Sequence, residues 1–187
     1  MKKILALALA LCLLCLSAAS LAEAQITSEE TTLDLDGFSL TLGAGEVYAL
    51  SEKVANSPYL IVYPFYSAGD TGSNYNVVWA GEPFEATPES AKEEAASSEE
   101  IIRQQLEESG FTMANFTVGD AYSAQLNGVD CIAIEITIDI SAAGTTITVY
   151  EREFLLGSLG YVFTLSAASQ EGLDTVTQKM AEALDIK

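Results

Sequence analysis

The sequence predicts an α+β domain: an antiparallel β-sheet of about six to eight strands, with one long helix and a C-terminal helix packed on its faces. Three observations predict it. Between Gly128 and Ala168, three long segments with a period of two follow one another, separated only by short turns. A stripe spaced by three and four residues runs through 88–109, and a second one closes the chain. In the first of the three β-segments, Ile132, Ile134, Ile136, Ile138 and Ile140 alternate with Ala133, Glu135, Thr137 and Asp139. A strand sends alternate side chains to opposite faces, so one face is made for a core and the other tolerates solvent. Burying an isoleucine contributes roughly 1.5–3 kcal/mol, so a slip of one residue would move five such contributions into water.

Residues 1–24 read as a secretory signal peptide. Lys2 and Lys3 form the basic start, Ile4 to Leu16 the apolar run, and Ser17 to Ala24 a small-residue region with Ser20-Leu21-Ala22 and Ala22-Glu23-Ala24 as alternative cleavage sites. The apolar run is short for a membrane span, and none is expected after cleavage. A lipoprotein signal needs a small residue before its cysteine, whereas Leu11 precedes Cys12 and Leu14 precedes Cys15. The expected address is secreted or extracytoplasmic. Removal of 24 residues from 187 leaves 163, about one domain with room for a core. Taking Lys2, Lys3 and Glu23 from the eight basic and 27 acidic residues leaves six and 26. Such a surface excludes nucleic acid, which needs clustered Lys and Arg, and favours a monomer or a cationic partner. Cys131 then stands without an intramolecular partner and is expected to be a buried, inert thiol.

In chain order, 25–30 is a flexible lead and 31–187 the domain. Leu33 and Leu35, then Phe38, Leu40 and Leu42, alternate around Asp36-Gly37 as a small hairpin or a bent strand. Tyr59 to Tyr66 is apolar on both faces, as in a strand between two layers, and Pro64 marks an edge or an end. Asn74 to Ala80 is a short strand. Thr87 caps a helix that starts at Pro88 and runs to about Ser109, with Ala91, Ala95, Ser98, Ile102 and Leu106 inward and Gly110 at its end. Asn115 to Tyr122 is a weaker strand, and Asn127-Gly128 turns the chain into the isoleucine segment. In Thr145 to Leu156, Ile147 and Val149 share one parity while Tyr150, Phe154 and Leu156 share the other, which predicts a bulge or twist near Tyr150 to Arg152. Tyr161 to Ala167 alternates cleanly. Ser169 caps a last helix with Leu173, Val176, Met180 and Leu184 on one side.

This succession resembles the PsbP-like superfamily, named for an extrinsic subunit of photosystem II and including a nuclear-transport protein that binds Ran. The resemblance covers most of 31–187. It rests on Phe38-Ser39-Leu40-Thr41-Leu42, Asn127-Gly128, Gly160-Tyr161-Val162-Phe163-Thr164-Leu165 and the closing helix. It implies an antiparallel sheet with helices on its faces and a noncatalytic role in binding or assembly. It transfers no functional residue.

The chain has no histidine, which removes Ser-His-Asp and Cys-His chemistry and imidazole-based zinc sites. Paired carboxyls remain, as in glycosidases; Glu135 with Asp139, and Glu151 with Glu153, are the candidates, and a solvent-facing sheet surface near Arg152 accounts for them equally. Asp70, Asn74 and Asn76 place oxygen side chains at alternate positions, somewhat like a calcium loop, but without the terminal glutamate of an EF-hand. Tyr59, Tyr63, Phe65, Tyr66, Tyr75 and Trp79 crowd one stretch. Of these, Tyr59, Tyr63, Tyr66, Tyr75 and Trp79 are the candidate contact platform, against the alternative that two neighbouring strands are filling a core. The expectation is a secreted, noncatalytic binding or accessory domain at the cell envelope, without cofactor. The alternatives are a carboxylate hydrolase and a calcium-dependent binding module.

Overall fold

A computed structural model describes residues 25–35, 37–54, 57–63, 73–142 and 144–187, with side chains at 26 and over 49–63 outside that description. The signal peptide expected at 1–24, and Asp36, Pro64, Phe65, Tyr66 and Asp70, lie outside the described residues. The strands are β1 (Gln25–Ile26), β2 (Thr31–Leu35), β3 (Phe38–Leu42), β4 (Val47–Val54), β5 (Ser57–Tyr63), β6 (Asn74–Trp79), β7 (Thr112–Leu126), β8 (Val129–Ala142), β9 (Thr145–Leu156), β10 (Tyr161–Ala167) and β11 (Leu184–Ile186). The helices are α1 (Pro88–Glu108) and α2 (Gln170–Ala183). Eight strands form one antiparallel sheet in the order β1-β4-β5-β6-β10-β9-β8-β7, and β11-β3-β2 form a second.

The isoleucine segment, β8, lies between β7 and β9, with all five isoleucines buried. They face α1, which crosses β7 and β8 and inserts Ala91, Ala95, Ile102 and Leu106 between them. The opposite face of the sheet carries α2 and the small sheet. There Tyr161, Phe163, Leu165 and Ala167 of β10 meet Leu173, Val176 and Met180 of α2 and Phe38, Leu40 and Leu42 of β3. Phe38 sets its ring edge-on to Tyr161 at 4.9 Å between centroids. Each face of the main sheet thus has its own core, which is why β10 is buried along its whole length.

The long helix follows its sequence signals closely. Thr87 caps it by accepting from the Ser90 amide at 3.1 Å, and Ser90 returns the bond to the Thr87 amide, a capping box. Its buried stripe is Ala91, Ala95, Ser98, Ile102 and Leu106. At the other end Gly110 takes φ 84°, and the Phe111 amide bonds back to the Leu106 carbonyl at 2.8 Å.

Three expectations are corrected. First, β9 has no bulge: its register with β8 runs unbroken from Leu155 opposite Ile132 to Thr145 opposite Ala142. The apparent parity switch arises because two glutamates, Glu151 and Glu153, occupy inward positions between Val149 and Leu155. Second, the strand expected over 115–122 extends over 112–126, and the bulges fall there, between Met113 and Asn115 and between Val118 and Ala121. Gly119 belongs to the second bulge; a Cβ there would lie 3.0 Å from the Glu135 carbonyl oxygen. Third, Leu184 leaves the last helix and starts β11, which pairs with β3 and closes the small sheet.

Candidate functional site

The aromatic stretch divides between core and regions outside the description. Tyr75 is 2% exposed and packs in the α2-side core, so its ring is no contact platform. Burial, reinforced by the charge of Glu46, holds its hydroxyl far above the ordinary phenol range. Trp79 is half-buried against the same core. Tyr59 and Tyr63 belong to β5, with side chains outside the description.

Asn74 and Asn76 lie in strand β6, and both are buried. The alternation that suggested a calcium loop is that of a strand, which turns both amides onto the α1 face. In the ladder, Asn74 is opposite Ser166 and Asn76 opposite Thr164; on the far side of β10, Ser166 is opposite Glu151 and Thr164 opposite Glu153. Two polar rows therefore cross β6, β10 and β9. Ser166 donates its hydroxyl to Glu151 Oε1 at 3.0 Å, and Thr164 donates to Glu153 Oε1 at 3.3 Å. Burial raises the Glu151 carboxyl from 4.5 to about 8, with the Ser166 bond opposing. Glu153 is raised well above its ordinary value by burial, then by the charges of Glu151 and Glu94. The sequence-level placement of this pair on a solvent-facing surface is thus wrong: both are 0% exposed. The parity break in β9 was the signal that could have revealed them.

Glu135 and Asp139 face the other way and are engaged. Arg152 donates to Glu135 at 2.7 Å, to Asp174 at 3.1 Å and to Thr177 at 3.1 Å, while Thr148 donates to Asp139 at 2.7 Å. Among the described residues, no group of three or more His, Cys, Asp or Glu side chains converges on a common point.

A groove of about 730 Å³ opens beside the start of α1. Its floor is Ile132 and Leu155, neighbours across β8 and β9, with Ser123 beyond them on β7. The segment from Pro83 to Ala86 forms one wall, held by a 2.8 Å bond from the Phe84 amide to the Gly157 carbonyl. Gly157 is required there, since a Cβ would collide with the Phe84 carbonyl oxygen. Exposed Glu85 and Asp130 stand on the rim. Cys131 also lines the groove, but it is a buried free thiol, raised to about 11 by burial and by Asp130. That leaves it protonated and poorly nucleophilic near neutral pH. Sequence reasoning missed this groove, because its walls come from four separate stretches of chain.

An antiparallel sheet sandwiched between helices, with an acid-rimmed groove of mixed polar and apolar lining, defines an α+β protein with a ligand-sized concavity. No protein-family model matches the chain, and no curated protein matches it. Among solved structures it is similar to the cyanobacterial PsbP (CyanoP) of Synechocystis sp. PCC 6803, at 8% identity over 86% of this chain and 94% of that one, with a TM-score of 0.47. It is also similar to LpqN of Mycobacterium tuberculosis, described as involved in cell envelope biogenesis, at 17% identity over 89% and 85%, with a TM-score of 0.35. A third is a Pseudomonas aeruginosa protein of unknown function, PA94, at 10% identity over 83% and 93%, with a TM-score of 0.36. These likenesses bring no residue or activity to this chain. No described helix is long and apolar enough to cross a membrane.

Proposed function

We propose that this chain is an exported, noncatalytic binding domain that engages a cationic segment of a partner protein through the groove beside α1. The groove carries the reading. It offers an apolar floor for an anchoring side chain and two exposed carboxylates for the positive charge beside it, on a chain of net charge −19. The leader read at 1–24 supports an extracytoplasmic place of action.

The probe is a fluorescein-labelled peptide of alternating lysine and leucine, titrated against the purified protein by fluorescence anisotropy. Saturable binding is expected, weakening as salt is raised and falling about tenfold in the double variant Glu85→Lys, Asp130→Lys. Equal binding by that variant, or by a glutamate–leucine peptide, would refute the reading. Export is checked separately: a C-terminally tagged chain made in a bacterial host should leave the cytoplasm and begin at residue 23 or 25 when its N-terminus is sequenced.

A further inference from the structure

Three adjacent strands each turn two oxygen-bearing side chains onto one stretch of the α1 face: Asn74 and Asn76 from β6, Thr164 and Ser166 from β10, Glu151 and Glu153 from β9. Strands lie about 4.8 Å apart, so each row spans only about 10 Å across the three strands. All six are buried, Asn74 being the most exposed at 5%. The hydroxyls of Ser166 and Thr164 each satisfy one oxygen of a glutamate. The remaining oxygens, Glu151 Oε2 and Glu153 Oε2, together with Asn74 Oδ1, accept no hydrogen bond.

Among the described residues, the surroundings supply no positive charge. From β8 come Ile134 and Ile136, and from α1 come Ala91, Ala95, Ser98 and Glu94, the last adding negative charge at Glu153. Described basic side chains are placed elsewhere: Lys92 with Asp120, Arg103 with Glu99, Arg152 with Glu135 and Asp174, Lys187 with Asp34, and Lys179 on α2 across the sheet. Two carboxyls, each with one oxygen unbonded, and an unbonded amide oxygen, all turned inward, form a hard-oxygen set, the kind that takes Ca²⁺ or Mg²⁺.

We propose that Glu151, Glu153 and Asn74 bind a hard divalent cation between β6 and β9, with Asn76 at its margin. The site differs from the groove and does not depend on it. Binding is an exchange: the ion enters, both carboxyls give up their protons to solvent, and the two carboxylate charges are matched by the metal. Protons and the ion therefore compete for the same carboxylate oxygens.

The test uses the full purified protein, stripped with a chelator and titrated with CaCl₂ or MgCl₂ alone by calorimetry, in buffers of differing ionisation heat that report proton release. Saturable binding of one ion is expected, with protons released as the carboxyls take up the metal. Glu151→Gln with Glu153→Gln, which preserves the shape of the protonated pair, should fold and lose binding. Asn74→Ala should weaken binding while retaining proton release. Glu93→Gln with Glu100→Gln, on the exposed side of α1, should change nothing. No binding of either ion near pH 8.5, or undiminished binding by the Glu151/Glu153 double variant, would overturn the proposal.

Discussion

At position 152 an arginine only 13% exposed gathers Glu135, Asp174 and Thr177 and so ties β8 and β9 to α2. Its carboxylate partners are 41% and 61% exposed, so water softens the pairing and also rescues those groups if the arginine is lost. Arg152→Met should therefore lower stability in urea by about 1–3 kcal/mol, and Arg152→Lys should recover only part because lysine lacks the planar fork. The glutamates on either side act in the opposite sense. Folded Glu151 keeps its proton to about pH 8, whereas the unfolded chain gives it up near 4.5, so this group's contribution is full below 4.5 and is lost as pH rises across that window. Glu153 acts in the same direction. In the presence of a chelator, Glu151→Gln with Glu153→Gln should gain stability relative to the wild type as pH rises from about 5 to 9. Urea titrations with parallel pH profiles would contradict this. Residue type alone hid the pair, because acids default to the surface; only the company of Val149 and Leu155 at the same parity marks them as inward.

Elements with local signals were the legible ones. The N-cap at Thr87, the stripe of α1 and the Asn127-Gly128 turn are all written within a few neighbouring residues, and they stand where the pattern put them. What local pattern omits is what an element touches. Asn127 takes φ 49°, as its turn demands, but its side-chain amide also donates to the carbonyls of Ala181 and Leu184 at the end of α2. Asn127→Gly keeps the turn conformation and loses those bonds, so it should cost about 1–2 kcal/mol by thermal or urea unfolding, where turn preference alone predicts almost nothing. The length of β7 escaped for a related reason: its two bulges break the alternation on which a strand is recognised.

Taken whole, the chain shows why its fold class was readable and its buried oxygen rows were not. The meander β8-β9-β10 joins sequence neighbours, whereas β6 reaches β10 across the whole of α1 and the meander. Asn74 and Glu151 are brought to one face only by that pairing, which no short stretch of sequence encodes. The excess of 27 acidic over eight basic residues acts at the same scale, through repulsion that the compact state must bear and the expanded chain relieves. Opposing it are a few ion pairs, such as Lys92 with Asp120, which is largely exposed and worth little. Salt weakens both, but the screening length of about 10 Å at 0.1 M lets it remove diffuse repulsion between many charges while close, partly buried pairs such as Arg152 with Glu135 persist. Raising NaCl from about 10 mM to 300 mM at neutral pH should therefore raise the melting temperature, and the rise should shrink near pH 4, where about half of the carboxylates are protonated. A melting temperature that falls with salt at neutral pH would mean that the ion pairs, and not the acidic excess, dominate the electrostatics of this fold.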